Sequence, residues 1–244
     1  MKQLIIFAIG LVTLTTSAQD NKVWRVGVQF GNSGNISKYS GGMQTANARF
    51  NQNIFQAPNI NVVARYDFDK HWMLMTGIGF NDIGFGYSIS ENYSLAKAKI
   101  KNSDIKTDFV AMELPIAMFY KFSPNCKNSR WIVGAGFVAT VTEKQTIDKN
   151  FSSANDGSTI NNLSSESILN GGGTVLLRWS IAREKSFNNG SILQASFMVN
   201  MGFKTMASST VNYTLDNQNY SHNFSNNGSS VGFRLAYFLK PIGK

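Results

Sequence analysis

Cysteine is nearly missing from this chain. A single thiol, Cys126, in 244 residues leaves no internal disulfide framework, so the fold has to hold without covalent cross-links. Histidine occurs only at His71 and His222, which with one cysteine offers no zinc-ligand spacing; neither a metal nor a cofactor is expected. Charge is scarce too: charged residues make up 15%, against about a quarter in ordinary soluble domains. Beyond its first residues the chain has no long apolar run, and mean hydropathy is −0.15. That excludes a bundle of membrane helices, each of which would need roughly 20 apolar residues. A shortage of charge without greasy helices needs another cause.

The one apolar run stands at the start. Lys2 supplies a positive n-region, Leu4 to Leu14 an apolar h-region and Thr16-Ser17-Ala18 a small-residue cleavage site. Residues 1–18 therefore read as a secretory signal peptide, with 19–244 as one domain. A membrane anchor would need a longer run, and no cysteine follows the cleavage site to carry a lipid. The formal charge of +9 falls to about +8 without Lys2. The basic residues are dispersed and an exported chain seldom meets nucleic acid, so anionic lipid or polysaccharide is the expected neighbour and nucleic acid is not.

What the sequence has in abundance is alternation. Apolar and polar residues exchange with period two over 23–31, 59–68, 72–80, 109–122, 130–141, 174–182, 192–204 and 231–239, the pattern of strands with one greasy and one polar side. Along the third, the apolar set passes from Trp72, Leu74, Ile78 and Phe80 to Ile83, Phe85, Tyr87 and Ile89, which predicts a bulge at Asn81-Asp82. Long Asn- and Ser-rich connections (32–57, 91–104, 143–170, 205–227) take turns with short ones (69–71, 123–129, 183–190). Short turns on one side and long loops on the other are the habit of outer-membrane barrels. The expected fold is all-β: an eight-stranded antiparallel up-and-down transmembrane β-barrel with both termini periplasmic.

Aromatic placement points the same way. Trp24, Trp72 and Trp131 begin the first, third and fifth strands, and Trp179 lies near the end of the sixth. With Tyr66, Phe68, Tyr120, Phe122 and Tyr237 they form the girdle expected at the periplasmic interface, while Phe30, Phe80, Phe203 and Phe233 form a thinner upper ring. If Leu114 faces lipid, Glu113 faces the barrel interior, together with Arg25, Arg65, Arg178 and Arg234. Side chains fill a barrel of eight strands, and a buried carboxylate is costly unless paired. Glu113 is thus expected to accept hydrogen bonds from one or more of these arginines, and Asp67 to serve Arg65 or Lys121 nearer the lower rim.

Catalytic sets are hard to find. His222 is near Asp216, Ser221 and Ser225 in sequence, in a segment so rich in serine that chance proximity accounts for it; no enzyme is expected. The glycine-rich pieces 77–84 and 170–173 do not lead from a strand into a helix, so they read as small residues making room rather than phosphate loops. Lys97, Lys99 and Lys101 alternate, so an extended backbone would present all three on one side. At the outer rim they would meet lipopolysaccharide phosphates, or simply solvate a strand extension.

Glu113-Leu114-Pro115-Ile116 followed by Tyr120, in a mid-chain strand, resembles the PorT-like outer-membrane barrel domain common in Bacteroidetes. The resemblance implies a small OmpA-like barrel in the cell outer membrane; some members are implicated in protein secretion or gliding machinery. Its C-terminal segment, from Tyr237 to Lys244, departs from the usual aromatic ending of such barrels. The expectation is an integral outer-membrane protein with a packed polar interior, meeting lipids, lipopolysaccharide and envelope proteins through its long loops. A small anion-favouring channel is the alternative. A soluble exported barrel, greasy side inward, would turn the arginines and Glu113 to water and gain nothing from tryptophans at one end.

Overall fold

The computed structural model describes residues 23–40, 48–53, 55–91, 103–123, 128–151, 160–215 and 218–241. The signal segment, Lys97, Lys99, Lys101, Cys126 and Asp216 lie outside these. Regular structure among the described residues is strand throughout: β1 (Val23–Ser40), β2 (Ala48–Asn53), β3 (Phe55–Asp67), β4 (Trp72–Glu91), β5 (Ser103–Lys121), β6 (Ser129–Thr142), β7 (Gln145–Phe151), β8 (Ile160–Leu169), β9 (Gly172–Ser186), β10 (Ile192–Gly202), β11 (Ala207–Leu215) and β12 (Gln218–Phe238).

Eight of these close a ring. Hydrogen-bonded neighbours run β1-β3-β4-β5-β6-β9-β10-β12, and β12 returns to β1. All of the pairings are antiparallel, so the fold is a closed eight-stranded antiparallel barrel with no edge left in the ring. The other four strands extend the wall at one end. There β2 lines the upper part of β4, from Ala48↔Glu91 to Asn53↔Gly86. The upper part of β12 carries β11, which carries β8, which carries β7. Much of what reads in sequence as long loop is therefore strand. Asn and Ser do not forbid pairing where one face of the sheet is wet, and a backbone leaving a closed barrel still needs hydrogen-bond partners.

The side chains show where the wall changes surroundings. On β12 the outward positions are apolar at Val231, Phe233, Leu235 and Tyr237 but polar at Ser221, Asn223, Ser225, Asn227 and Ser229. On β4, Trp72, Leu74, Ile78 and Phe80 point outward and Asp82 follows them. The apolar belt between these limits matches the about 9 to 11 residues with which a tilted strand crosses hydrocarbon. Above it the greasy face turns inward: Ile83 and Phe85 are buried. The expected bulge at Asn81-Asp82 is not there, because the pairs Asn81↔Ala111, Asp82↔Val110 and Ile83↔Phe109 keep one register through it. The phase of the sequence pattern changes because the outward side chains turn from apolar to polar while the inward ones turn apolar, and the strand runs on unbroken.

A close approach requires glycine at Gly134. It pairs with Phe119 across β5 and β6, and a Cβ on it would collide with the Phe119 ring, so the ring lies flat over the bare backbone.

At the opposite end the turns are tight. Between β3 and β4, Asp69 Oδ1 accepts the backbone N–H groups of His71 at 2.6 Å and Trp72 at 2.7 Å, an Asx turn. These bonds hold the Asp69 carboxyl below its ordinary value. A folded-state value below the unfolded one means that the turn's contribution is complete above the ordinary aspartate range and is lost as pH falls through the lowered value. Wild type should accordingly melt above Asp69→Asn at neutral pH, with the gap closing under acid. A gap unchanged at pH 2 would refute this role for the charge.

Candidate functional site

The barrel interior holds two ionic groups. In the upper one Glu113, from β5, is fully buried. Its Oε2 accepts Nη2 of Arg178 from β9 and Nη2 of Arg234 from β12, each at 3.1 Å, and its Oε1 accepts Asn81 Nδ2 at 3.1 Å. The arginines are braced in turn. Arg178 Nε donates to Asn200 Oδ1 at 2.7 Å, and Asn200 Nδ2 donates to Ser230 Oγ at 2.9 Å. Arg234 Nη1 donates to Gln29 Oε1 at 3.2 Å, which Asn61 Nδ2 also reaches. The planar guanidinium fork suits this use, because one head can serve a carboxylate and an amide at once.

The lower group gathers around Asp67. Its carboxylate receives Arg25 Nη1 at 2.5 Å, Arg65 Nη2 at 2.8 Å and Lys121 Nζ at 2.9 Å. Lys121 Nζ also donates to the Asp69 carbonyl at 2.5 Å, which ties the group to the turn below. The other Arg65 nitrogen, Nη1, meets Glu184 of β9, and Arg130 Nε lies 2.8 Å from the second Glu184 oxygen. Arg65 also lies over the Phe238 ring, 5.6 Å from its centroid.

Between the two groups lies an apolar plate. On β3 Val63 separates Asn61 from Arg65; on β5 Ala117 and Phe119 separate Glu113 from Lys121; on β9 Ala182 separates Arg178 from Glu184. These belong to one buried cluster with Met73, Met75, Ile132, Ile192, Ala236 and Phe238. Above the upper group a second cluster contains Ile83, Ala111, Val138, Leu176 and Met206. A third fills the extension with Phe85, Phe109, Leu163, Leu169, Val211, Tyr213 and Phe224. Ion groups and apolar plates thus alternate along the barrel axis.

The structure places Glu113, Arg178 and Arg234 in the upper group and Arg25, Arg65, Asp67 and Lys121 in the lower one. Sequence reasoning missed Glu184 and Arg130, which complete the lower group. The alternation Arg178, Ser180, Ala182 would have carried Glu184 onto the inner face had the strand been continued past Ala182. In the girdle, Trp24 lies 4.7 Å from Tyr66, Tyr66 4.8 Å from Phe68, Trp72 5.1 Å from Tyr120, and Tyr120 5.2 Å from Phe122. Trp131 meets the Arg183 guanidinium, and Tyr237 points outward opposite Val28 and Leu193. Trp179 stands apart, pairing with Ala135, four positions above Trp131 on β6.

No family model matches this chain, and no curated protein matches it. Among solved structures it is similar to the outer membrane protein OprG from Pseudomonas aeruginosa, at 9% identity over 90% of this chain and 96% of that one, with a TM-score of 0.46. The N-terminal β-barrel domain of OprF from the same organism matches at 10% identity over 86% and 96%, TM-score 0.35. The outer membrane protease OmpT from Escherichia coli matches at 11% over 93% and 100%, TM-score 0.34. Likeness this loose transfers no residue role, ligand or activity. The resemblance of Glu113-Leu114-Pro115-Ile116 to the PorT-like domain rests on those residues alone.

The histidines are placed by packing. His71 Nδ1 lies 3.3 Å from the Lys121 carbonyl and the ring stacks on Tyr120. His222 is buried in the extension, its Nε2 3.0 Å from Tyr213 Oη. Ser221 and Ser225 belong to the opposite, outward face of β12, so the strand itself parts them from His222. Among the described residues no three His, Cys, Asp or Glu side chains are grouped to hold a metal ion.

Truncating one member of a buried ion group leaves the others charged and dry, which costs about 3–5 kcal/mol. Glu113→Ala should lower stability by that order in urea unfolding of the refolded barrel. Loss of less than about 1 kcal/mol, the scale of an exposed pair, would contradict the pairing described.

Proposed function

We propose that this chain is an integral protein of the cell outer membrane, with a sealed interior, that serves as a structural or surface-interaction protein through the strand extension above the bilayer. One observation carries the reading: the outside of the ring is an apolar belt, while the inside is filled by ion groups separated by apolar plates. A soluble barrel has no use for Val110, Phe137 and Phe233 at 60% exposure or more, and exposed apolar surface on this scale marks a membrane or partner surface. In lipid a closed sheet also leaves no backbone N–H or C=O unpaired. The aromatic girdle and the tight turns support a reading with the termini in the periplasm and β2, β7, β8 and β11 outside the cell.

The second reading, a small anion-favouring channel, draws on the interior's charge. Six cations, Arg25, Arg65, Lys121, Arg130, Arg178 and Arg234, face three carboxylates, Asp67, Glu113 and Glu184, an excess that would favour anions in any water path. The apolar plates speak against such a path. Purified protein in planar bilayers should give no steady conductance. A sustained anion-selective current would replace the sealed-barrel reading with the channel.

The extension is where a partner would be met. Its inward side is a packed apolar core and its outward side is polar, so it stands as a firm platform above the lipid. An accessory role in a secretion or envelope complex, implied by the PorT-like resemblance, fits such a platform. Lys97, Lys99 and Lys101, in the sequence between β4 and β5, are proposed to meet lipopolysaccharide phosphates. Changing all three to glutamine should weaken association with lipopolysaccharide in a salt-dependent manner; unaltered binding would discard the contact.

A further inference from the structure

The lipid-facing surface is not evenly convex. Around the lower half of the belt, from β4 to β10, lies an outward hollow of about 570 Å³. Trp72 and Tyr120 form one wall, Trp179 and Phe197 the other, and the floor is low because Val133 and Ala135 stand between these rings. Cross-strand pairing makes the hollow continuous: Tyr120↔Val133, Val133↔Ile181 and Ile181↔Phe197 are neighbours in successive ladders. All of its outward side chains are apolar or aromatic.

Directly below it is a pair of cations. Arg183 and Lys185 follow Ile181 on the same outward face of β9, both exposed. The Arg183 guanidinium lies over Trp131 at 5.7 Å and its Nε donates to Ser129 Oγ at 3.1 Å, while Lys185 Nζ lies over Phe187 at 5.8 Å. Contacts with ring faces and a hydroxyl fix the direction of these heads without neutralising them. Among the described residues no carboxylate forms an ion pair with either. Glu184, which lies between them in sequence, points into the barrel.

We propose that this hollow and the Arg183–Lys185 pair together bind one anionic glycerophospholipid of the periplasmic leaflet, its phosphate on the two cations and an acyl chain in the hollow. The inference rests on the membrane placement above. The order along the wall is that of a phospholipid: charge at the level of the girdle, then apolar space reaching toward the bilayer centre. Cations at this level draw anionic headgroups, and long basic side chains reach such headgroups while their stems stay against apolar surface. Bulk lipid would cover a smooth belt equally well, but the hollow and the oriented cations together select by headgroup.

Trp72, Trp131 and Trp179 are native reporters. The full chain, refolded into phosphatidylcholine vesicles, is titrated with brominated phosphatidylglycerol or brominated phosphatidylcholine, and tryptophan quenching is read. Phosphatidylglycerol should associate with about thirtyfold preference, the order expected for two cations at a headgroup. Arg183→Gln with Lys185→Gln should abolish the preference, and Ala135→Phe, which fills the hollow, should reduce it. Both changes are on the outer surface, and heat-modified gel mobility checks that each variant has folded. Equal quenching by both lipids in wild type, or a preference that survives loss of the two cations, overturns the proposal. A preference indifferent to Ala135→Phe overturns its acyl-chain half. If no brominated lipid quenches at all, the membrane placement itself fails and takes this inference with it.

Discussion

The structure depends on one ladder, the pairing of β1 with β12. Without it the sheet is a curled ribbon with two raw edges, and in hydrocarbon each exposed N–H or C=O along them would be unsatisfied. With it, the sheet acquires an inside and an outside, and every second side chain is committed to one or the other. The belt, the ion groups and the girdle are consequences of that division. So is the short supply of charge, since every second residue along the belt lies on the apolar outer face.

Glu113 illustrates how the interior is specified. Its two arginine partners come from β9 and β12, which neither neighbour β5 nor each other in the same hairpin. The contact therefore ties together parts of the wall that share no hydrogen bonds. A slip of any one of these strands by a single residue would turn its charged side chain to the apolar outer face. Buried ion groups add little net stability over a greasy filling, but they penalise wrong registers heavily. The apolar plates keep the two groups from exchanging partners.

How much of this could be read from the residues varies along the barrel. Within the belt the alternation is clean, so all eight crossing segments and the inward placement of Glu113, Arg178 and Arg234 were legible. At the lower rim the outward side turns basic, with Arg183 and Lys185, and the contrast that marks a strand fades; Glu184 was lost there. Above the belt the outward side becomes polar while the inward side becomes apolar, so the pattern inverts, and an unbroken β4 reads as bulged. The partner choices, such as Arg65 spanning Asp67 and Glu184, depend on strand tilt and on reach across the lumen, which no local pattern records. His222 belongs with these: its neighbour in space is Tyr213, and the serines adjacent in sequence lie across the sheet from it.

The seam between the first and last strands also sets a timetable. Gln29 and Arg234, which meet inside it, are 205 positions apart, whereas most other ladders of the ring join hairpin neighbours. Those can form locally as the chain becomes available, but the seam has to wait for the final strand and bears the largest loop-closure entropy. Until then β1 offers an unmatched edge and Glu113 lacks Arg234. Closure of the ring therefore comes last, and the final strand to arrive acts as the latch that commits it.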